Sequence, residues 1–104
     1  MLKYTVEDVS SAVKVTLQGD LDIEGTEIMN DELLPKLLEH KVVQVSMEQV
    51  PFVDSSGMGL LINLVNTLKE NDTTITITDV APDVLEVFEL LQLPDILGQE
   101  VFNQ

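Results

Sequence analysis

Three runs with strand chemistry, residues 12–18, 42–47 and 73–79, are separated by segments of helical period. That alternation restricts the chain more than any other feature. In the first run Val13, Val15 and Leu17 alternate with Lys14, Thr16 and Gln18, the period-2 pattern of a half-buried strand. VVQVSM at 42–47 reads as a strand buried on at least one face, and TTITITD at 73–79 is a β-branched run. Another short strand at 2–8 precedes the first run across Asp8-Val9-Ser10-Ser11. From Glu24 to His40, Ile28, Leu33, Leu34, Leu37 and Leu38 fall near helical spacing, and Glu24, Glu27, Asp31 and Glu32 suit the N-terminal half of a helix. Pro35 inside that segment predicts a kink or a split.

Met58, Leu61, Ile62, Val65 and Leu68 predict an amphipathic helix over 57–70, ended by Asn71-Asp72. Pro82, followed by Val84, Leu85, Val87, Phe88 and Leu91, predicts a last helix. The tail reads as a short final strand near 99–102. Two strands followed by helix–strand–helix–strand–helix give one α/β domain over residues 1–104, a mixed sheet with helices covering at least one face.

Composition narrows the function classes. With 44% apolar and only 4% aromatic residues, the core is aliphatic. No apolar stretch approaches the roughly 20 residues that cross a bilayer. The opening MLKYTVEDVSS has acids where a signal peptide needs its apolar centre, so the expected location is the cytoplasm, without membrane insertion. The absence of cysteine excludes disulfides and thiolate metal sites. Nineteen acids face five lysines and no arginine, a formal charge of −14. That field repels nucleic-acid phosphates and favours a basic protein surface.

The chemistry concentrates in VPFVDSSGMGLLINLV, residues 50–65, where Asp54-Ser55-Ser56-Gly57 joins a strand-like segment to a helix N-terminus. The first N–H groups of a helix lack internal partners, so a hydroxyl there can cap them, and a phosphate would find donors. Gly57 and Gly59 let a partner's backbone approach closely. Local physics leaves both readings open, a cap and a modifiable serine. Catalysis fits poorly: the residues two before Ser55 and Ser56 are Val53 and Asp54, not the glycine of a nucleophile elbow. The lone His40 closes a helix, and no Gly-Lys pair supplies a P-loop. Asp20-Leu21-Asp22-Ile23-Glu24-Gly25 opens like a calcium loop, but a strand precedes it, and Glu27 and Asp31 occupy its eighth and twelfth positions. The expectation is no metal, no cofactor and no enzyme activity.

Gly19-Asp20-Leu21-Asp22, followed by Phe52-Val53-Asp54-Ser55-Ser56-Gly57-Met58-Gly59-Leu60-Leu61, resembles the bacterial anti-sigma factor antagonists, or STAS domains. The pattern from Thr76 to Pro82, then Val84, Val87, Phe88, Leu91 and Leu93, extends the likeness over nearly the whole chain. The resemblance implies a four- to five-stranded sheet with helices mainly on one face. It also implies a partner switch, in which the unphosphorylated domain binds an anti-sigma factor that is itself a serine kinase and releases its target. Phosphorylation of Ser55, with Ser56 as the alternative acceptor, ends binding, and a PP2C-type phosphatase resets it. Asp20, Asp22, Asp54, Ser56, Gly57, Met58 and Gly59 are the implied partner-binding residues. The alternative reading is a STAS subunit bound constitutively to a transport or other multi-protein complex.

Overall fold

The computed structural model describes residues 2–102. Strands β1 (Lys3–Val9), β2 (Ala12–Gln18), β3 (Val42–Gln49) and β4 (Thr74–Thr78) form one sheet in the order β1-β2-β3-β4. β1 and β2 make an antiparallel hairpin, whereas β3 runs parallel to both β2 and β4. Parallel neighbours cannot be joined by a tight turn, so each pair requires a crossover, and the helical segments supply it.

Residues in register share a face of the sheet. Val13, Val15 and Leu17 of β2 therefore align with Val43 and Val45 of β3 and with Ile75 and Ile77 of β4, and all are buried. Met29, Leu33 and Leu37 from the first crossover join the same core, as do Leu61, Leu64, Val65 and Leu68 from α2 (Ser55–Glu70) and Phe88 from α3 (Pro82–Leu90). On the opposite face Lys14, Thr16, Gln44, Thr76 and Thr78 stay half-buried or exposed. The expected mixed sheet with helices mainly on one face is what the chain forms. Edge strand β1 is largely exposed. Tyr4 holds it to the crossover, its hydroxyl accepting from Lys36 Nζ at 2.8 Å and donating to Glu32 Oε1 at 3.3 Å.

One expectation is sharpened and one changes. The helix predicted over 24–40 is divided into a 3₁₀ turn at Ile23–Gly25, a π-helical stretch at Ile28–Leu33 and α1 (Leu34–Leu37). Pro35 has no N–H to offer the carbonyl of Asp31. The chain widens instead, with Leu34 N–H donating back to Met29 O, so the proline splits the segment. The final strand expected near 99–102 is absent. After the short α4 (Leu93–Leu97), residues Gln99–Val101 form a 3₁₀ turn, and one bridge between Phe102 and Ile77 is the only β contact in that stretch. Lys69 Nζ donates to Leu97 O at 2.6 Å and lies 3.5 Å from Glu100, while Phe102 meets Phe88 edge to face at 5.8 Å. Those contacts hold the tail as a turn.

One irregularity positions the loops. Thr16 pairs with Ser46, but Gln18 pairs with Gln49, so β3 carries one residue more than β2. Such a bulge bends the strand that holds it. Here the extra residue lies at the exit of β3, beside the turn after β2, where Gly19 N–H donates to Gln49 O at 3.0 Å from a left-handed φ of 102°.

Candidate functional site

The carboxyl ends of parallel strands are where α/β sheets expose their loops. Two loops meet there in this chain. Leu21 bridges Val53 in parallel, its N–H donating to Phe52 O at 3.0 Å and its carbonyl accepting from Asp54 N–H at 3.3 Å. The aspartates at Asp20 and Asp22 are thereby brought beside Asp54 and the start of α2. The likeness noted in the sequence paired these two segments across some thirty residues, and the backbone pairs them directly.

Helix α2 begins at Ser55, two residues earlier than its apolar period suggests, because Asp54 is the residue that caps it. Asp54 Oδ1 accepts from Gly57 N–H at 2.8 Å, and Asp54 O takes the first helical bond from Met58 N–H at 2.9 Å. A carboxylate at this end also meets the positive pole of the helix. Neither serine is the cap. Ser55 is exposed and Ser56 half-buried, and among the described residues neither hydroxyl hydrogen-bonds within the chain. The side chains are thus divided by role: a carboxylate stabilises the helix start, and a free hydroxyl stands on its first residue.

The two glycines differ. A Cβ on Gly57 would fall 1.9 Å from Leu21 O and 2.7 Å from Leu21 C, so the backbone that approaches this glycine is the chain's own. A Cβ on Gly59 would meet nothing within 4 Å. Gly57 and Met58 are buried, and Gly59 is exposed. Asp20 is exposed. Asp22 is half-buried and caps the 3₁₀ turn by accepting from Glu24 N–H at 3.0 Å. In the frame that opens like a calcium loop, Asp22 thus serves a cap while Asp31 lies in the π-helical stretch. Among the described residues, no three acidic or histidine side chains converge as a metal site.

Two exposed apolar residues beside the site were hidden in the sequence. Phe52 (51% exposed) and Val87 (39%) stand outside the core, although both belong to apolar runs. The available signal for Val87 was its place one residue off the Val84–Phe88 stripe. A depression of about 460 Å³ lies between α3, α4 and Phe102 and holds none of the site residues predicted from the sequence. It is an open concavity in which Leu85, Pro94 and Phe102 stand beside Glu89, Gln92, Asp95 and Gln99, and Gln99 Nε2 donates to Asp95 Oδ1 at 3.3 Å.

Residues 4–98 match the family described as Mlab, STAS domain. The chain is 28% identical over 97 residues to the anti-sigma-B factor antagonist of Staphylococcus aureus (strain NCTC 8325 / PS 47), covering 92% of this chain and 88% of the relative. Its fold matches that of an anti-sigma factor antagonist from Mycobacterium paratuberculosis with a TM-score of 0.79 at 16% identity, over 94% of this chain and 84% of the other. It also matches the phosphorylated form of SpoIIAA, a Bacillus cell fate determinant, with a TM-score of 0.69 at 20% identity, over 98% and 92%.

Proposed function

Since the chain belongs to the STAS domain family, we propose that it is a partner-switching protein whose state is set by phosphorylation of Ser55. In this reading the unmodified domain works in the cytoplasm and binds a serine-kinase anti-sigma factor, or a related switch kinase, so that the kinase's target is released. The kinase then transfers the γ-phosphoryl group of ATP to Ser55 Oγ, the hydroxyl proton leaving as ADP departs, and the complex separates. A PP2C-type phosphatase hydrolyses the ester and restores binding. The domain itself is substrate and ligand, with no catalysis of its own.

One observation supports this reading above the others: Asp54 caps α2, which leaves the Ser55 hydroxyl exposed and unbonded on the first helical residue. A serine serving as the cap would have its hydroxyl committed to the fold. Phosphorylation adds a charge of about −1.5 to −2 at neutral pH. Next to Asp54, with Asp20 and Asp22 on the adjoining loop, that charge raises the cost of burying this surface against a partner. The helix N-terminus meanwhile offers the free N–H groups of Ser55 and Ser56 to a phosphate, so the fold survives the modification. Asp20, Asp54, Ser56 and Gly59 meet the partner directly in this scheme. Asp22, Gly57 and Met58 shape that surface from within. The naming of the Staphylococcus relative as an anti-sigma-B factor antagonist supports an anti-sigma factor as the partner.

The test is labelling with the cognate kinase and ATP, read by intact mass. The wild type gains one phosphate, Ser56→Ala gains it as well, and Ser55→Ala gains none. Full labelling of Ser55→Ala contradicts the assignment.

A further inference from the structure

We propose that the groove between the segment leading into Asp54 and helix α3 is an anchor site for one apolar side chain of a protein partner, carried on a segment rich in lysine or arginine. Buried Val53 and Val84 form its floor, exposed Phe52 and Val87 stand as its walls, and Asp83 lies on its rim. Its volume is about 250 Å³. Cavities that hold whole cofactors or drug-sized ligands are typically ~300–1,000 Å³, so this one suits a single side chain. Exposed aromatic and aliphatic walls around a desolvated floor are the make-up of a binding hot spot.

Charge identifies the occupant. Asp20, Asp22, Asp54, Asp79 and Asp83 all lie on loops or helix starts at the carboxyl ends of β2, β3 and β4. Of the five lysines, Lys3, which pairs with Gln18, is the one at this end of the sheet. Lys14 and Lys41 lie toward the starts of β2 and β3, and Lys36 and Lys69 are engaged with Tyr4 and with Leu97 O. A bare apolar patch would accept a second copy of the chain. Bringing two such acidic ends together sets like charges against each other, whereas lysines or arginines beside the inserted side chain meet complementary potential. The groove also runs directly into the candidate site, Val53 preceding Asp54. It deepens the partner-switch reading and rests on it only for the identity of the protein that presents the basic segment.

The probe is a short peptide with one leucine between two pairs of arginines, titrated into the isotope-labelled full chain while amide shifts are followed. The expected result is saturable shifts centred on Phe52, Val53, Asp83 and Val87, lost when glutamates replace the arginines. Phe52→Ala should weaken the peptide about tenfold or more, as loss of a large buried apolar contact implies. Val87→Ala should weaken it less. Both side chains are exposed, and an unchanged amide spectrum elsewhere verifies the fold of each variant. Shifts spread over the acidic surface, or equal affinity in Phe52→Ala, overturn the proposal. So does self-association of the free chain that Phe52→Ala abolishes, which assigns the groove to a second copy. No kinase enters this titration, and Ser55 labelling does not depend on the groove, so either reading can fail alone.

Discussion

At the scale of single residues, DSSGMG divides into parts that the letters alone do not separate. Asp54 is the cap, Gly57 is a packing requirement, and Gly59 is neither. Alanine substitutions should show the difference. Gly57→Ala drives a methyl into the Leu21 carbonyl, which is backbone and cannot rotate away, and overpacking of this kind costs about 2 kcal/mol or more. Gly59→Ala meets open space inside a helix, where exchanging glycine for alanine gains up to about 1 kcal/mol. Urea unfolding of the two variants should move the midpoint in opposite directions, and equal midpoints would contradict the loop contact. The sequence showed that Ser55 sits at a helix start. It did not show which of three consecutive polar residues caps that helix, because aspartate and serine are nearly equal at the N-cap and only the backbone entry angle chooses between them.

Among the elements, legibility followed period and length. β2, β3, β4 and α2 were readable because their apolar spacing agrees with their burial: Val13, Val15 and Leu17 alternate inward, and Met58, Leu61, Val65 and Leu68 line one side of a helix. The first crossover was half legible. Pro35 announced an interruption, but a π-helical stretch depends on which carbonyl the next free N–H reaches, and that is a tertiary choice. The tail misread as a strand has strand-like residues held in a turn by Lys69 and Phe88, partners far away in sequence. Phe52 was unreadable as exposed for the converse reason, since apolarity signals burial and only the finished fold shows a shortage of cover, whereas Val87 left one faint signal in its place off the Val84–Phe88 stripe.

The contact between β1 and α1 responds to pH. The Tyr4 hydroxyl, hydrogen-bonded to Lys36, raises the lysine's pKa above its ordinary value; the fields of Tyr4 and Glu32 add to this, and slight desolvation opposes it. A folded pKa raised above the unfolded one contributes stability while the lysine is protonated in both states, and loses it as pH climbs through the folded value. The stability difference between wild type and Lys36→Met should therefore be constant near neutrality and shrink above about pH 10, where lysine titrates. A difference that grows with rising pH would contradict the contact. The effect will be small, since the pair is exposed.

For the molecule as a whole, a net charge of −14 and a polarised layout of loops set up a negative field that attracts basic surfaces and repels acidic ones. In the proposed switch, long-range attraction serves encounter and one added phosphate beside Asp54 serves release, two effects acting over different distances. The direct measurement is calorimetric titration of the cognate switch kinase with two forms of this chain, one unmodified and one carrying phosphoserine at position 55. Unfavourable charge juxtaposition in a buried interface costs several kcal/mol, so the phosphorylated form should bind at least about a hundredfold more weakly, with both forms equally folded. Equal affinities would contradict the switch and favour a subunit that holds its partner constitutively.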